Sequence, residues 1–163
     1  MAWLTPEEYY RGLPKKRIGA GVLFLNEEKK VLIVAPTYKE GWTIPGGVVD
    51  ANESPIAGAI RETKEEIGLS IKDPRLICVG YVPVNGYKTE ALHFIFYGGV
   101  LNGESIAQIK LQEEELGEYR FADKDELARL LIAGLNERVL SCLDVIDTGE
   151  TVYHETVHSL PIS

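Results

Sequence analysis

Apolar residues along this chain fall into short unbroken runs and one stripe of helical spacing. Arg17–Leu25 (RIGAGVLFL) and Val31–Ala35 (VLIVA) have strand length, and the polar turn Asn26–Lys30 separates them. The second run is apolar throughout, as a strand covered on both faces is. Leu76–Val84 and Ala91–Leu101 are also strand-like, and Asn85-Gly86 between them is a hairpin signal. Glu118–Ala122 predicts one more short strand. Between the second and third runs the period changes. Ile56, Ala59, Ile60, Thr63 and Ile67 recur at helical spacing and predict a helix with one buried face. Ser54 suits the N-cap, Pro55 the first helical position, and Gly68 the left-handed residue that ends a helix. Gly58 inside this helix costs about 1 kcal/mol of propensity, for which close packing against a neighbouring strand would account.

The remaining segments connect and flank these elements. Residues 1–16 read as an N-terminal extension with a turn or short helix at Pro6–Arg11. Tyr38–Gly47 reads as a loop with an extended piece at Trp42–Ile44, Asp73-Pro74 as a break, and Asn102–Gln112 as a loop. Asp123 caps a helix running to about Leu131, and Asn136–Asp147 is a final amphipathic helix. Residues 148–163 read as a C-terminal tail. Strands on both sides of one central helix, with helices at the end, predict an α/β fold: a mixed central sheet sandwiched between helices, in one domain spanning 1–163.

Charge and composition narrow the function. The 163 residues carry a formal net charge of −8. That balance argues against long nucleic acid and anionic membrane as partners, but not against a nucleotide bound through a metal ion. No apolar run is long enough to span a membrane. The start, MAWLTPEEYYRG, lacks the basic and apolar regions of a signal peptide, so the expected location is cytoplasmic. Cys78 and Cys142 lie in apolar runs and read as two buried thiols. The N-terminal extension and C-terminal tail are candidates for packing across a homodimer.

The candidate chemistry sits on the central helix. Glu62, Glu65 and Glu66 fall at i, i+3 and i+4, which puts three like charges on one helix face. Such a cluster reads either as a solvated acidic face or as a site for a hard divalent cation such as Mg²⁺ or Mn²⁺. The turn Pro45-Gly46-Gly47 upstream favours the second reading, because glycine lets backbone approach a ligand closely. Arg61 by itself reads as a surface partner of Glu65.

From Gly47 to Leu69 the chain reads GVVDANESPIAGAIRETKEEIGL. This fits G-x5-E-x7-R-E-U-x-E-E-x-G-U through Gly47, Glu53, Arg61, Glu62, Glu65, Glu66 and Gly68, with only Thr63 departing at an apolar U position. The pattern is the Nudix box, and the chain resembles a Nudix hydrolase. The preceding EGWTIPGG (Glu40–Gly47) is also similar to that family's approach to the box. The resemblance implies Mg²⁺-dependent hydrolysis of a pyrophosphate bond in a nucleoside diphosphate linked to another moiety, with Mn²⁺ as a substitute. It implies metal ligands at Glu62, Glu65, Glu66 and the Gly47 carbonyl, and a bridge from Arg61 to Glu53. It also implies a carboxylate base, inside the box or outside it. The outside candidates are Glu113, Glu114, Glu115 and Glu118, of which Glu115 is preferred. Arg17, Tyr38 and Lys39 are candidates for binding substrate.

Two other readings stand beside this one. A Nudix-like module could bind nucleotide without turnover, although a complete set of mutually repelling glutamates argues against it. His154-Glu155-Thr156-Val157-His158 matches H-E-x-x-H, the zinc-peptidase pattern, which needs a helix and a third ligand such as His93. The surrounding Thr and Val residues predict an exposed strand instead.

Overall fold

A computed structural model of the chain describes residues 4–156. Its elements are, in chain order, α1 (Pro6–Gly12), β1 (Arg17–Asn26), β2 (Val31–Pro36), β3 (Gly46–Val48), α2 (Pro55–Ile67), β4 (Arg75–Val82), β5 (Ala91–Leu101), α3 (Gly103–Ala107), β6 (Leu116–Ala122), α4 (Lys124–Leu130), α5 (Leu135–Val145) and β7 (Val152–Glu155). The sheet runs β6-β2-β1-β5-β4-β7, with β3 paired to β1. It is mixed: β1 lies parallel to β5 and β4 parallel to β7, while the β1–β2, β1–β3, β2–β6 and β4–β5 pairs are antiparallel. The predicted α/β sandwich is therefore what the chain adopts.

Alternation along β1 and β2 divides the core in two. Ala20, Val22, Phe24, Leu32 and Val34 face α2, where Ala59, Ile67 and Leu69 meet them. Leu23, Leu25, Val31 and Ile33 face the other way, onto Leu127 of α4, Leu131 at its C-cap, and Leu135 and Val139 of α5. Two opposed apolar faces account for the unbroken apolar runs of the sequence. Cys78 and Cys142 are buried free thiols in the second layer.

Several expectations need correction. The extended piece expected at Trp42–Ile44 makes only isolated bridges, Thr43 to Val34 and Trp42 to Leu131, and the strand forms one step later at Gly46–Val48. The expected loop at Asn102–Gln112 contains α3, capped by the Asn102 side chain on the Ser105 N–H. The strand expected in the tail is present as β7, and it pairs with β4 over Cys78–Tyr81. Gly58 makes room for the Val49 and Glu53 side chains rather than for a strand. Ile56, expected on the buried stripe, is exposed, whereas Glu66, expected on the solvated face, is buried. Thr63 is buried too, and its hydroxyl donates to the Ala59 carbonyl at 2.8 Å, so the polar atom is satisfied within the helix.

Candidate active site

β3 carries the box to the sheet. Ala20 pairs with Gly47 and Gly21 with Gly46, so the Gly-Gly turn is laid against the middle of β1. Gly46 takes φ 143° there, a conformation open to glycine. The chain then loops through Asp50–Ser54 into α2. Ser54 caps that helix by accepting from the Ala57 N–H, and Gly68 ends it at φ 74°. Helix α2 thus lies alongside β3 with its acidic residues facing the Gly-Gly turn.

Two of the three glutamates touch that turn. The Gly46 N–H donates to Glu66 Oε2 at 2.7 Å. A side chain on Gly47 would put its Cβ 2.6 Å from the Glu62 carboxyl carbon, so Glu62 packs on the glycine face. Burial pushes the Glu66 carboxyl up to about 7; the Gly46 N–H pulls it down, and the charges of Glu62 and Glu115 push it up again. Glu65 is further out, and Arg61 Nη1 donates to its Oε2 at 3.0 Å. Among the described residues, no group of three Asp, Glu, His or Cys side chains already converges as a metal cluster.

Arg61 plays both roles considered for it. Nε and Nη2 form a fork onto Glu53 Oε1 and Oε2, each at 2.9 Å. Nη1 donates to Glu62 Oε1 at 2.8 Å, and Nη2 also reaches the Val48 carbonyl at 3.2 Å. Hydrogen bonds from Arg61, joined by the Asp50 N–H, hold the Glu53 carboxyl down to about 2. The guanidinium is held well above its ordinary value, first by Glu53 and then by Glu62. It ties loop, strand and helix into one unit, a task that needs its planar fork.

The acidic segment after α3 reaches the same place. The Lys110 N–H donates to the Ile67 carbonyl and the Gln112 N–H to the Glu66 carbonyl, each at 3.0 Å. These bonds close the C-terminal end of α2 and bring Glu115 near its acidic face. Of Glu113, Glu114, Glu115 and Glu118, it is Glu115 whose charge is prominent at Glu66. Glu118 instead pairs with Arg120 at 3.2 Å.

Beside the Gly-Gly turn opens a cavity of about 240 Å³. Arg17, Tyr38 and Lys39, the three substrate-binding candidates, all line it, together with Gly46 and Gly47. Arg17 is held by the Thr89 hydroxyl at 3.1 Å and the Thr89 carbonyl at 2.8 Å. Burial raises the Tyr38 phenol, and the charges of Glu66, Glu115 and Glu62 add to it. Lys39 is pulled down by burial. Trp42 is not in this lining; Arg120 stacks on its ring at 4.7 Å. Sequence reasoning missed Arg138, which lines the cavity from α5, and gave His93 no part in substrate binding. Arg138 looked like one more polar residue of an amphipathic helix.

The H-E-x-x-H segment has the wrong geometry for a zinc helix. His154 and Glu155 are neighbours on strand β7, so they point to opposite faces. His154 Nε2 lies 3.5 Å from Glu137 Oε2. His158 lies outside the described residues.

The family model for the NUDIX domain matches residues 15–141. The chain belongs to the Nudix family. That family comprises pyrophosphohydrolases, which generally use divalent metal ions. Among curated relatives, Nudix hydrolase 8 of Arabidopsis thaliana is 32% identical over 103 residues, covering 58% of this chain and 28% of that protein. The CMP-5'-(N-acetyl-N-hydroxy-3-aminopropyl)phosphonate hydrolase of Streptomyces rubellomurinus is 28% identical over 121 residues, covering 71% of this chain and 56% of that protein. These matches span about half or less of the relatives' own lengths. The MutT protein of Methanosarcina mazei Go1 superposes with a TM-score of 0.66 at 22% identity, over 84% of this chain and 97% of that one. The Nudix fold is thereby common to both. No helix among the described residues is long and apolar enough to cross a membrane.

Proposed function

We propose that this Nudix protein hydrolyses a pyrophosphate bond in a nucleoside diphosphate linked to another moiety, using Mg²⁺ with Mn²⁺ as a substitute. The observation that carries the reading is the packing of Glu62 and Glu66 on the Gly46-Gly47 turn, at the mouth of a cation-lined cavity. The donors there are all oxygens, which fits a hard divalent ion rather than a thiophilic one. Glu62, Glu65, Glu66 and the Gly47 carbonyl would hold it. The bound ion neutralises phosphate charge and makes water more acidic. Glu66, buried and close to Glu62, has its charge opposed by its surroundings, and a cation beside it reverses that opposition.

The other residues position and exclude. Arg61 and Glu53 lock the loop to the helix, so the ligands share one frame. Glu115 takes the proton from the attacking water and holds it on its carboxylate. Arg17 and Lys39 draw the anionic substrate into the cavity, and Tyr38 closes its rim. Little covalent work falls to the protein, as befits phosphoryl transfer.

The test is release of phosphate or nucleotide from a panel of diphosphate compounds. Activity should require Mg²⁺ or Mn²⁺ and should vanish in the triple variant Glu62→Gln, Glu65→Gln, Glu66→Gln. Nucleotide binding without turnover on any member of the panel would leave the binding-module reading in its place.

A further inference from the structure

Three strands place residues side by side on the face toward α5. His93 of β5 pairs with Gly80 of β4, and Gly80 pairs with His154 of β7. Glycine in the middle leaves a slot, and Arg138 fills it. A Cβ on Gly80 would lie 2.5 Å from Arg138 Cδ. The guanidinium is almost fully buried, with 4% of the residue exposed. Nη1 donates to Thr156 Oγ1 at 3.1 Å, while Nε is buried with no acceptor. Among the described residues no carboxylate lies within 4.0 Å of Arg138. A buried charge without a counter-ion is costly, and proteins ordinarily pair it.

The same shortage marks the whole cavity. Arg17, Lys39 and Arg138 line it, and among the described residues no Asp or Glu does. Among the described residues Arg17 is held by neutral oxygens of Thr89, and Lys39 lies 5.4 Å from the centre of the Tyr38 ring. Yet acidic residues outnumber basic ones 25 to 17 in this chain. Arg11, Lys16, Lys30, Arg61, Arg120 and Lys124 all have carboxylate partners. Burial holds the His93 imidazole down at about 4, so it faces the guanidinium as a neutral group. Among the described residues the cavity therefore keeps positive charge with no ion-paired carboxylate, the charges of Glu66 and Glu137 reaching Lys39 and Arg138 only from beyond 4.0 Å.

We propose that Arg138 receives a second anionic group of the substrate, a phosphate or a carboxylate set apart from the pyrophosphate that is cut. This rests on the hydrolase reading above and narrows it. The preferred substrates carry that extra charge, and neutral sugar or alcohol derivatives are poor ones. The fork of Arg138 matches two oxygens of one phosphate or carboxylate.

Two measurements test this. In EDTA, with no divalent ion, inorganic phosphate or acetate at constant ionic strength should raise the melting temperature saturably. The rise should be lost in Arg138→Gln. Phosphate alone giving the rise assigns a phosphate group, and acetate alone a carboxylate. No rise with either anion, or an equal rise in the variant, overturns the proposal. With Mg²⁺, paired substrates differing only in the second anionic group should differ in kcat/KM by about 30-fold, mostly through KM. Arg138→Gln should lower kcat/KM for the charged member about 30-fold more than for the neutral member. A role confined to holding Thr156 would lower both members alike. Should the variant not fold, the wild-type pair decides: equal kcat/KM overturns the proposal. Absence of hydrolysis on every diphosphate would sink the hydrolase reading instead, and the EDTA measurement would still report on Arg138.

Discussion

Gly46 and Gly47 are adjacent in β3, yet alanine should do opposite things at the two positions. At Gly47 the new Cβ would sit 2.6 Å from the Glu62 carboxyl carbon and Oε1 and 2.8 Å from Oε2. Gly47 has no positive φ, so the backbone accepts alanine without strain. The obstacle is the tip of a flexible side chain, which regains ordinary contact by retreating about 0.8 Å. Stability should fall by no more than about 1 kcal/mol, or about 4 °C in melting temperature for a chain of this size. Turnover should fall by about 100-fold, because an error of this size in a positioned group costs that much. At Gly46 the φ of 143° is unsuited to alanine, and the Cβ would collide with the Ala20 carbonyl and the Gly21 Cα. Both are backbone atoms of β1 and can move only by breaking the β1–β3 pairing. The cost should be at least about 3 kcal/mol, a drop of about 6–12 °C. The assay is product release across a Mg²⁺ titration, with melting curves in EDTA for both variants. Wild-type turnover of Gly47→Ala at every Mg²⁺ concentration would show that Glu62 need not be where it is. A melting loss equal to that of Gly46→Ala would show that the contact is not one a side chain relieves.

Three further outcomes are expected. Glu66→Gln keeps an oxygen for the Gly46 N–H but removes a charge, so turnover should drop by more than about 100-fold while melting in EDTA is unchanged or higher; near-normal turnover at saturating Mg²⁺ would displace Glu66 from the site. His93 is held at about 4 by burial, against an ordinary 6.5, so its neutral form stabilises the fold fully above pH 6.5. That stability should be lost as pH falls through about 4, by at most about 3 kcal/mol, and the denaturant midpoint of His93→Gln should be flatter over this window. Thr63→Val deletes a hydroxyl that only doubles a helix bond at Ala59, so urea unfolding should shift by less than about 1 kcal/mol, and a larger loss would give the hydroxyl a structural task.

Much of the fold was legible because both faces of the sheet are covered. Runs such as VLIVA admit few alternatives to a buried strand, and the helical stripe of α2 is bounded by Ser54 and Gly68. What stayed hidden depends on contacts distant in sequence. Gly46 and Gly47 are poor strand formers, and Gly46–Val48 becomes β3 because β1 offers it hydrogen-bond partners. The Thr- and Val-rich segment around His154 read as a strand, but its parallel pairing with β4, more than seventy positions upstream, was not legible. Within the candidate site, the shared helix face of Glu62, Glu65 and Glu66 was legible from spacing, while the choice of a cation site over a solvated face rested on the Gly-Gly turn and the Nudix-box resemblance. The burial of Glu66 was not legible, because it comes from the Gly-Gly turn twenty residues upstream. Arg138 was invisible for a related reason: its meaning lies in an absent side chain at Gly80.

The two parallel pairings have a bearing on how the chain is made. Arg17 of β1 pairs with Ala91 of β5, and Cys78 of β4 with Val152 of β7, each pair more than seventy positions apart. Closing such spans is slow, since chain entropy is lost before any contact repays it. During synthesis α2 leaves the ribosome before β5, so the platform that completes the β1 side of its cradle does not yet exist. The acidic helix must wait beside β1 and β3 with half a sheet beneath it. The register of β4 with β7 cannot close until Val152–Glu155 emerges. Synthesis thus delivers the acidic helix early and its complete support late, and the interval between them is when exposed strand edges are open to wrong partners.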